Sequence, residues 1–167
     1  MRVFLPTSDS AAGKALVCCP GGGYAAKAIM HEGYDWAPFF NGQGIALAVV
    51  DYKLPEHDPE RVIKDVDRAF KVMADSASGW GFSPDSIGIM GSSAGGHLAS
   101  VMASSPHSGS RPAFQLLFYP VITLDKAYTH SGTRHNFLPE SADDAMAARF
   151  SSENNVTAST PPAFIVH

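Results

Sequence analysis

Five short apolar runs, each bounded by turn residues, recur along the chain at 15–19, 45–51, 87–90, 114–119 and 163–166. Runs of this length without polar alternation predict strands buried on both faces, as in a parallel sheet. Residues 2–5 add an edge strand that stops at Pro6. Helical patterns lie between the strands. The clearest covers 59–77, with Asp58 as cap and Pro59 at the first helical position, where its missing N–H costs nothing. Val62, Val66, Ala69, Phe70 and Met73 fall on one stripe of it. Residues 94–104 read as a small-residue helix and 35–41 as a shorter one, closed by Gly42 and Gly44. Ser141-x-x-Asp144 resembles a capping box opening a helix to about Phe150. Strand and helix in alternation predict an α/β fold, a mostly parallel sheet with helices on both faces. The longest stretch without a clear element, 121–140, contains Thr129-His130-Ser131-Gly132, and a long loop beyond a strand's C-terminal end is where such folds hold substrate.

A length of 167 residues fits one domain. Twelve Lys and Arg against sixteen Asp and Glu give a net charge of −4, so no electrostatic footprint for nucleic acid or an anionic membrane is expected. No apolar run approaches the roughly 18 residues of a membrane span, and the N-terminus lacks the apolar centre of a secretory signal. Cys18 and Cys19 are adjacent in a strand, so their side chains point to opposite faces; they are expected as buried thiols rather than a disulfide or a metal pair. No histidine or carboxylate spacing suggests a metal site, and no cofactor is expected.

Two motifs carry chemistry. Gly91-Ser92-Ser93-Ala94-Gly95 fits G-x-S-x-G between a predicted strand and a predicted helix. A sharp strand-to-helix turn strains the central residue and needs small neighbours two positions away on either side, which Gly91 and Gly95 supply. The turn lifts the Ser93 hydroxyl above the sheet at a helix N-terminus, where developing negative charge is favoured. The plainer alternative is a Ser/Gly-rich loop without chemistry. Pro20-Gly21-Gly22-Gly23-Tyr24 follows the strand at 15–19, and its glycines let backbone N–H groups approach an oxyanion closely. Such a loop also suits phosphate, but neither G-x-G-x-x-G nor G-x-x-x-x-G-K-[ST] fits here.

With these residues the chain resembles the α/β-hydrolase superfamily, and within it the carboxylesterases related to hormone-sensitive lipase and to acetyl-xylan esterases. PGGGY at 20–24 resembles the oxyanion loop of that group, and GSSAGGH at 91–97 its nucleophile elbow. His31-Glu32-Gly33, Asp51-Tyr52-Lys53-Leu54, Tyr119-Pro120-Val121 and PPAFIVH at 161–167 resemble further segments in family order. Pro20 stands where many relatives carry histidine. The resemblance implies Ser93 as nucleophile and the backbone N–H groups of Gly22, Gly23 and Ala94 as the oxyanion hole. It implies a small acyl ester as substrate, acetyl or similar, carried by a small molecule or a carbohydrate.

In this superfamily an acid and then a histidine follow the serine, and the resemblance places both beyond His167. His97 is expected to be a structural histidine, His31 to border the pocket, and His57 and His107 to sit in a turn and a loop. His130 and His135 are expected in the long loop, where either could form an improvised dyad with Ser93, with Asp125 as a further partner. The expectation is therefore a partial domain at 1–167, without its acid, base, and last strand and helix. A different class of function also stands: a catalytically incomplete pseudo-enzyme that binds a ligand or partner. A peptidase of the same superfamily would need a larger accessory domain. Oligomeric state and compartment, whether cytoplasmic, periplasmic or secreted, are not encoded in any motif.

Overall fold

A computed structural model of the chain describes residues 1–104 and 109–167. Six strands form one sheet: β1 (Arg2–Phe4), β2 (Gly13–Cys19), β3 (Ile45–Val49), β4 (Phe82–Ser92), β5 (Gln115–Phe118) and β6 (Ala163–Val166). Their order across the sheet is β1-β3-β2-β4-β5-β6. Every neighbouring pair is parallel except the outermost, where Arg2–Phe4 runs antiparallel to β3. The expected parallel sheet thus carries one antiparallel edge strand.

Apolar runs become doubly buried strands because both faces are covered. Along β2, Ala15, Val17 and Cys19 point into one core, and Leu16 and Cys18 into the other. The larger core is roofed by α2 (Pro59–Trp80) and α3 (Ala94–Ser104), the smaller by α1 (Ala37–Gly42) and the 3-10 turn Tyr34–Trp36 before it. Both cysteines are free and fully buried, and burial pushes both thiol pKa values upward.

α2 begins where the sequence says it should. The Asp58 carboxylate accepts from the Glu60 N–H at 3.1 Å, and Pro59 follows as the first helical residue. It runs a turn past Ala77 and closes on Gly81, whose φ of 80° is cheap only for glycine. Two expectations need correcting. The stretch 121–140 contains a helix, α4 (Ser131–Phe137), capped by the His130 ring, which accepts from the Thr133 N–H. The next helix, α5 (Asp144–Arg149), is capped by Asp143 rather than Ser141: the Asp143 carboxylate accepts from the Met146 N–H at 2.8 Å. An aspartate nearer the helical run captured the cap. β6 lies at the far edge of the sheet, with Phe164, Ile165 and Val166 all exposed. No helix among the described residues is long and apolar enough to cross a membrane.

Candidate active site

Ser93 sits between the end of β4 and the start of α3 with φ of 53°. A β-carbon in that region costs energy, so the surroundings must hold it there. They do so through the main chain. The Ser93 N–H donates to the Phe118 carbonyl at 3.0 Å, and the Ser93 carbonyl accepts from His97 and Val121 at 3.0 and 3.1 Å. Side chains on the flanking glycines would destroy the turn. A β-carbon on Gly91 would run into the Gly95 carbonyl, and one on Gly95 into the Cys19 carbonyl and, at 2.6 Å, Pro20. The requirement for small residues is therefore met by backbone crowding on both sides. The Ser93 side chain is partly exposed and faces a cleft of about 1280 Å³. Ala94, whose N–H is an implied donor, is the first residue of α3, where the helix itself offers its amides no acceptor.

The glycine loop crosses directly over this turn. A β-carbon on Gly21 would stand 2.5 Å from the Ser92 carbonyl and 3.1 Å from Ser93 Cβ. Gly22 and Gly23 have φ of 126° and 62°. Among the described residues, neither of their N–H groups donates to a protein acceptor. The rest of the loop is fastened. The Tyr52 hydroxyl donates to the Pro20 carbonyl at 2.5 Å. The Gly21 N–H donates to Glu32 Oε2 at 2.6 Å. The Gly23 carbonyl accepts from Asn136 Nδ2, on α4, at 2.9 Å. Tyr24 is buried, stacked on Phe137 at 4.9 Å, and its hydroxyl bonds to His97 Nδ1 at 2.8 Å.

His97 is the structural histidine the sequence suggested. Its Nε2 lies 2.9 Å from the Phe150 carbonyl. A carbonyl only accepts, so Nε2 carries the proton and Nδ1 accepts from Tyr24. Burial lowers the ring pKa to about 4, against the smaller upward pull of the Phe150 carbonyl, so the ring is neutral near pH 7.

The other histidines are dispersed. His31 is exposed. His57 Nδ1 donates to the Leu138 carbonyl at 3.0 Å, and its ring meets that of His135 at 5.3 Å. His107 lies outside the described residues. His130 and Asp125 border the same cleft as Ser93, as does His167. The His130 ring is held by Thr133, and Asp125 by the Ala127 N–H. Among the described residues, no histidine ring is hydrogen-bonded to the Ser93 hydroxyl, and no group of three or more His, Cys, Asp and Glu side chains could hold a metal ion.

The fasteners of the glycine loop leave little trace in the sequence. A tyrosine at the mouth of a buried strand, such as Tyr52, must place its hydroxyl somewhere, and that was the one available signal. Glu32 stands in the resembling segment His31-Glu32-Gly33 but with nothing to mark its role, and Asn136 carries no local pattern.

Comparison with known proteins was consistent. A family model described as alpha/beta hydrolase fold matches residues 16–166. The acetylxylan esterase of Xylanibacter ruminicola is 42% identical over 99% of this chain, which spans 35% of that protein's length. A carboxylesterase of Mycobacterium tuberculosis, NlhH, is 32% identical over 75% of the chain, covering 40% of that protein. Among solved structures, an acetyl ester-xyloside bifunctional hydrolase from Caldicellulosiruptor lactoaceticus superposes with a TM-score of 0.85 at 29% identity. That match covers 97% of this chain and 62% of the other.

Proposed function

Because the chain belongs to the α/β-hydrolase family, we propose that it forms the nucleophile and oxyanion part of a serine carboxylesterase that removes small acyl groups, acetyl above all, from carbohydrate alcohols. One observation carries the reading: Ser93, at a positive φ and open to a cleft, lies under a glycine loop whose Gly22 and Gly23 amides have no protein acceptor among the described residues. Ser93 Oγ attacks the acyl carbon. The carbonyl oxygen becomes an oxyanion and takes N–H bonds from Gly22, Gly23 and Ala94; losing one such donor costs about 2.7–4 kcal/mol of barrier. The alcohol leaves with a proton, and water then releases the acyl group from Ser93. The base and its orienting acid are assigned to sequence beyond His167, in one domain with residues 1–167. The spans of 35% and 62% of the related proteins support that assignment. Acetyl as the acyl group is supported by the names of the ruminicola and Caldicellulosiruptor proteins. Tyr119 and Tyr128, both exposed at the cleft, offer faces to the alcohol part.

The test compares the full-length protein with its Ser93→Ala variant on p-nitrophenyl acetate and acetylated xylo-oligosaccharides, together with labelling by a fluorophosphonate. Loss of both turnover and labelling in Ser93→Ala is expected. Labelling that persists in Ser93→Ala would remove Ser93 from the nucleophile role. A second comparison uses residues 1–167 alone, where turnover would overturn the placement of the base.

A further inference from the structure

Glu32 lies eleven residues beyond Gly21, and its carboxylate reaches back to the loop with both oxygens engaged. Oε2 accepts the Gly21 N–H at 2.6 Å, and Oε1 accepts the Tyr119 hydroxyl at 2.9 Å. These partners come from different places. Gly21 follows β2, and Tyr119 follows β5; β4, which delivers Ser93, runs between those two strands. The carboxylate therefore bridges over the nucleophile strand. Tyr119 is itself fixed: its φ is 37°, its N–H donates to the Val166 carbonyl, and the residue before it accepts the Ser93 N–H. At the other end, the Pro20–Gly21 peptide is gripped on both sides, by Tyr52 at its carbonyl and Glu32 at its N–H. A peptide unit is planar, so fixing both its polar ends fixes its orientation and the direction in which the chain enters Gly22.

We propose that Glu32 is a positioning residue for acyl transfer, setting the aim of the Gly22 and Gly23 amides by holding Gly21 through a bridge anchored on Tyr119. The assignment rests on the function proposed above. It also explains why the hole would start at Gly22: the Gly21 N–H is already committed to Glu32. Glycines at positive φ have wide conformational freedom, and without a fixed entry direction their amides would sample many orientations. Misplacement by about 1 Å can cost on the order of 10²-fold in rate.

The role is positional rather than one of charge, and substitutions separate the two. Glutamine keeps the length: its oxygen can accept from Gly21 while its amide donates to the Tyr119 oxygen. Aspartate keeps the charge but withdraws the acceptor by about 1.5 Å, one carbon–carbon bond. In the full-length protein acting on p-nitrophenyl acetate, Glu32→Ala is expected to lower kcat by about 10- to 100-fold with KM within about twofold. The fluorophosphonate labelling rate should fall in parallel. Glu32→Gln should stay within about threefold of the parent, and Glu32→Asp should resemble the alanine variant. If Glu32→Ala does not fold, the Gln and Asp pair decides alone. Unchanged kcat in Glu32→Ala, or Asp performing better than Gln, would overturn the proposal. Ser93→Ala, run alongside, keeps the two readings apart. Its inactivity with a fully active Glu32→Asp would sink the role of Glu32 only; its activity would sink the proposed function itself.

Discussion

His97 is buried, uncharged and wedged between Tyr24 and Phe150, and this makes a single residue a gauge of pH. Its folded pKa of about 4 lies below the ordinary 6.5. Between those values the unfolded chain takes up a proton that the native chain refuses. The contribution of His97 is therefore fully present above about pH 6.5 and is lost as pH falls toward 4. At pH 5 the loss amounts to about 2 kcal/mol relative to pH 8. His97→Gln, which can accept from Tyr24 and donate to Phe150, should remove that part of the slope; urea unfolding of both proteins at pH 5 and pH 8 measures it. The residues most legible from sequence were those whose demands are local. Gly91, Ser93 and Gly95 lie within five positions, and the crowding at Gly91 is created by the same turn, although that at Gly95 comes from Cys19 and Pro20. Glu32 was not legible as a site residue, because its bond to Tyr119 joins positions 87 apart and no spacing rule reaches that far.

Elements were legible in proportion to how much of their stability is written in their own sequence. α2 carries its cap, its N1 proline and its apolar stripe, and the structure keeps all three, while its end at Gly81 lies beyond the expected 59–77. α4 carries almost none. Ser131-Gly132-Thr133-Arg134-His135-Asn136-Phe137 mixes weak helix formers without a repeat. It forms because Thr133, Arg134 and Phe137 are buried in the tertiary fold, with Arg134 bonded to the Leu124 carbonyl and Phe137 stacked on Tyr24. Tertiary contacts thus make a helix that propensity would not, and through Asn136 that helix holds the glycine loop. The difference is measurable at α2, which stands on local terms. Asp58→Ala removes its cap and should cost about 1 kcal/mol of stability. Urea unfolding reads that loss, and turnover of the full-length protein should not change, since Asp58 touches neither the loop nor the elbow.

At the scale of the whole molecule, strand content was readable but strand order was not. Apolar runs announce that a strand is buried on both faces, yet they do not say which strand lies beside which. β4 follows β3 in sequence but pairs with β2, and this places the serine turn between the glycine loop and the Tyr119 corner. Two cores result, one on each side of the sheet, and Cys18 and Cys19 stand back to back across it. Native protein should resist iodoacetamide at both positions, since each thiol is enclosed and held protonated. Mass spectrometry of Cys18 and Cys19 during urea titration then times the two sides of the sheet separately. Simultaneous alkylation is expected if the layers part together, and a lead at Cys18 if the thinner α1 layer peels first. The adjacent sulfurs act as a paired stopwatch, reporting from within which half of the sandwich lets go.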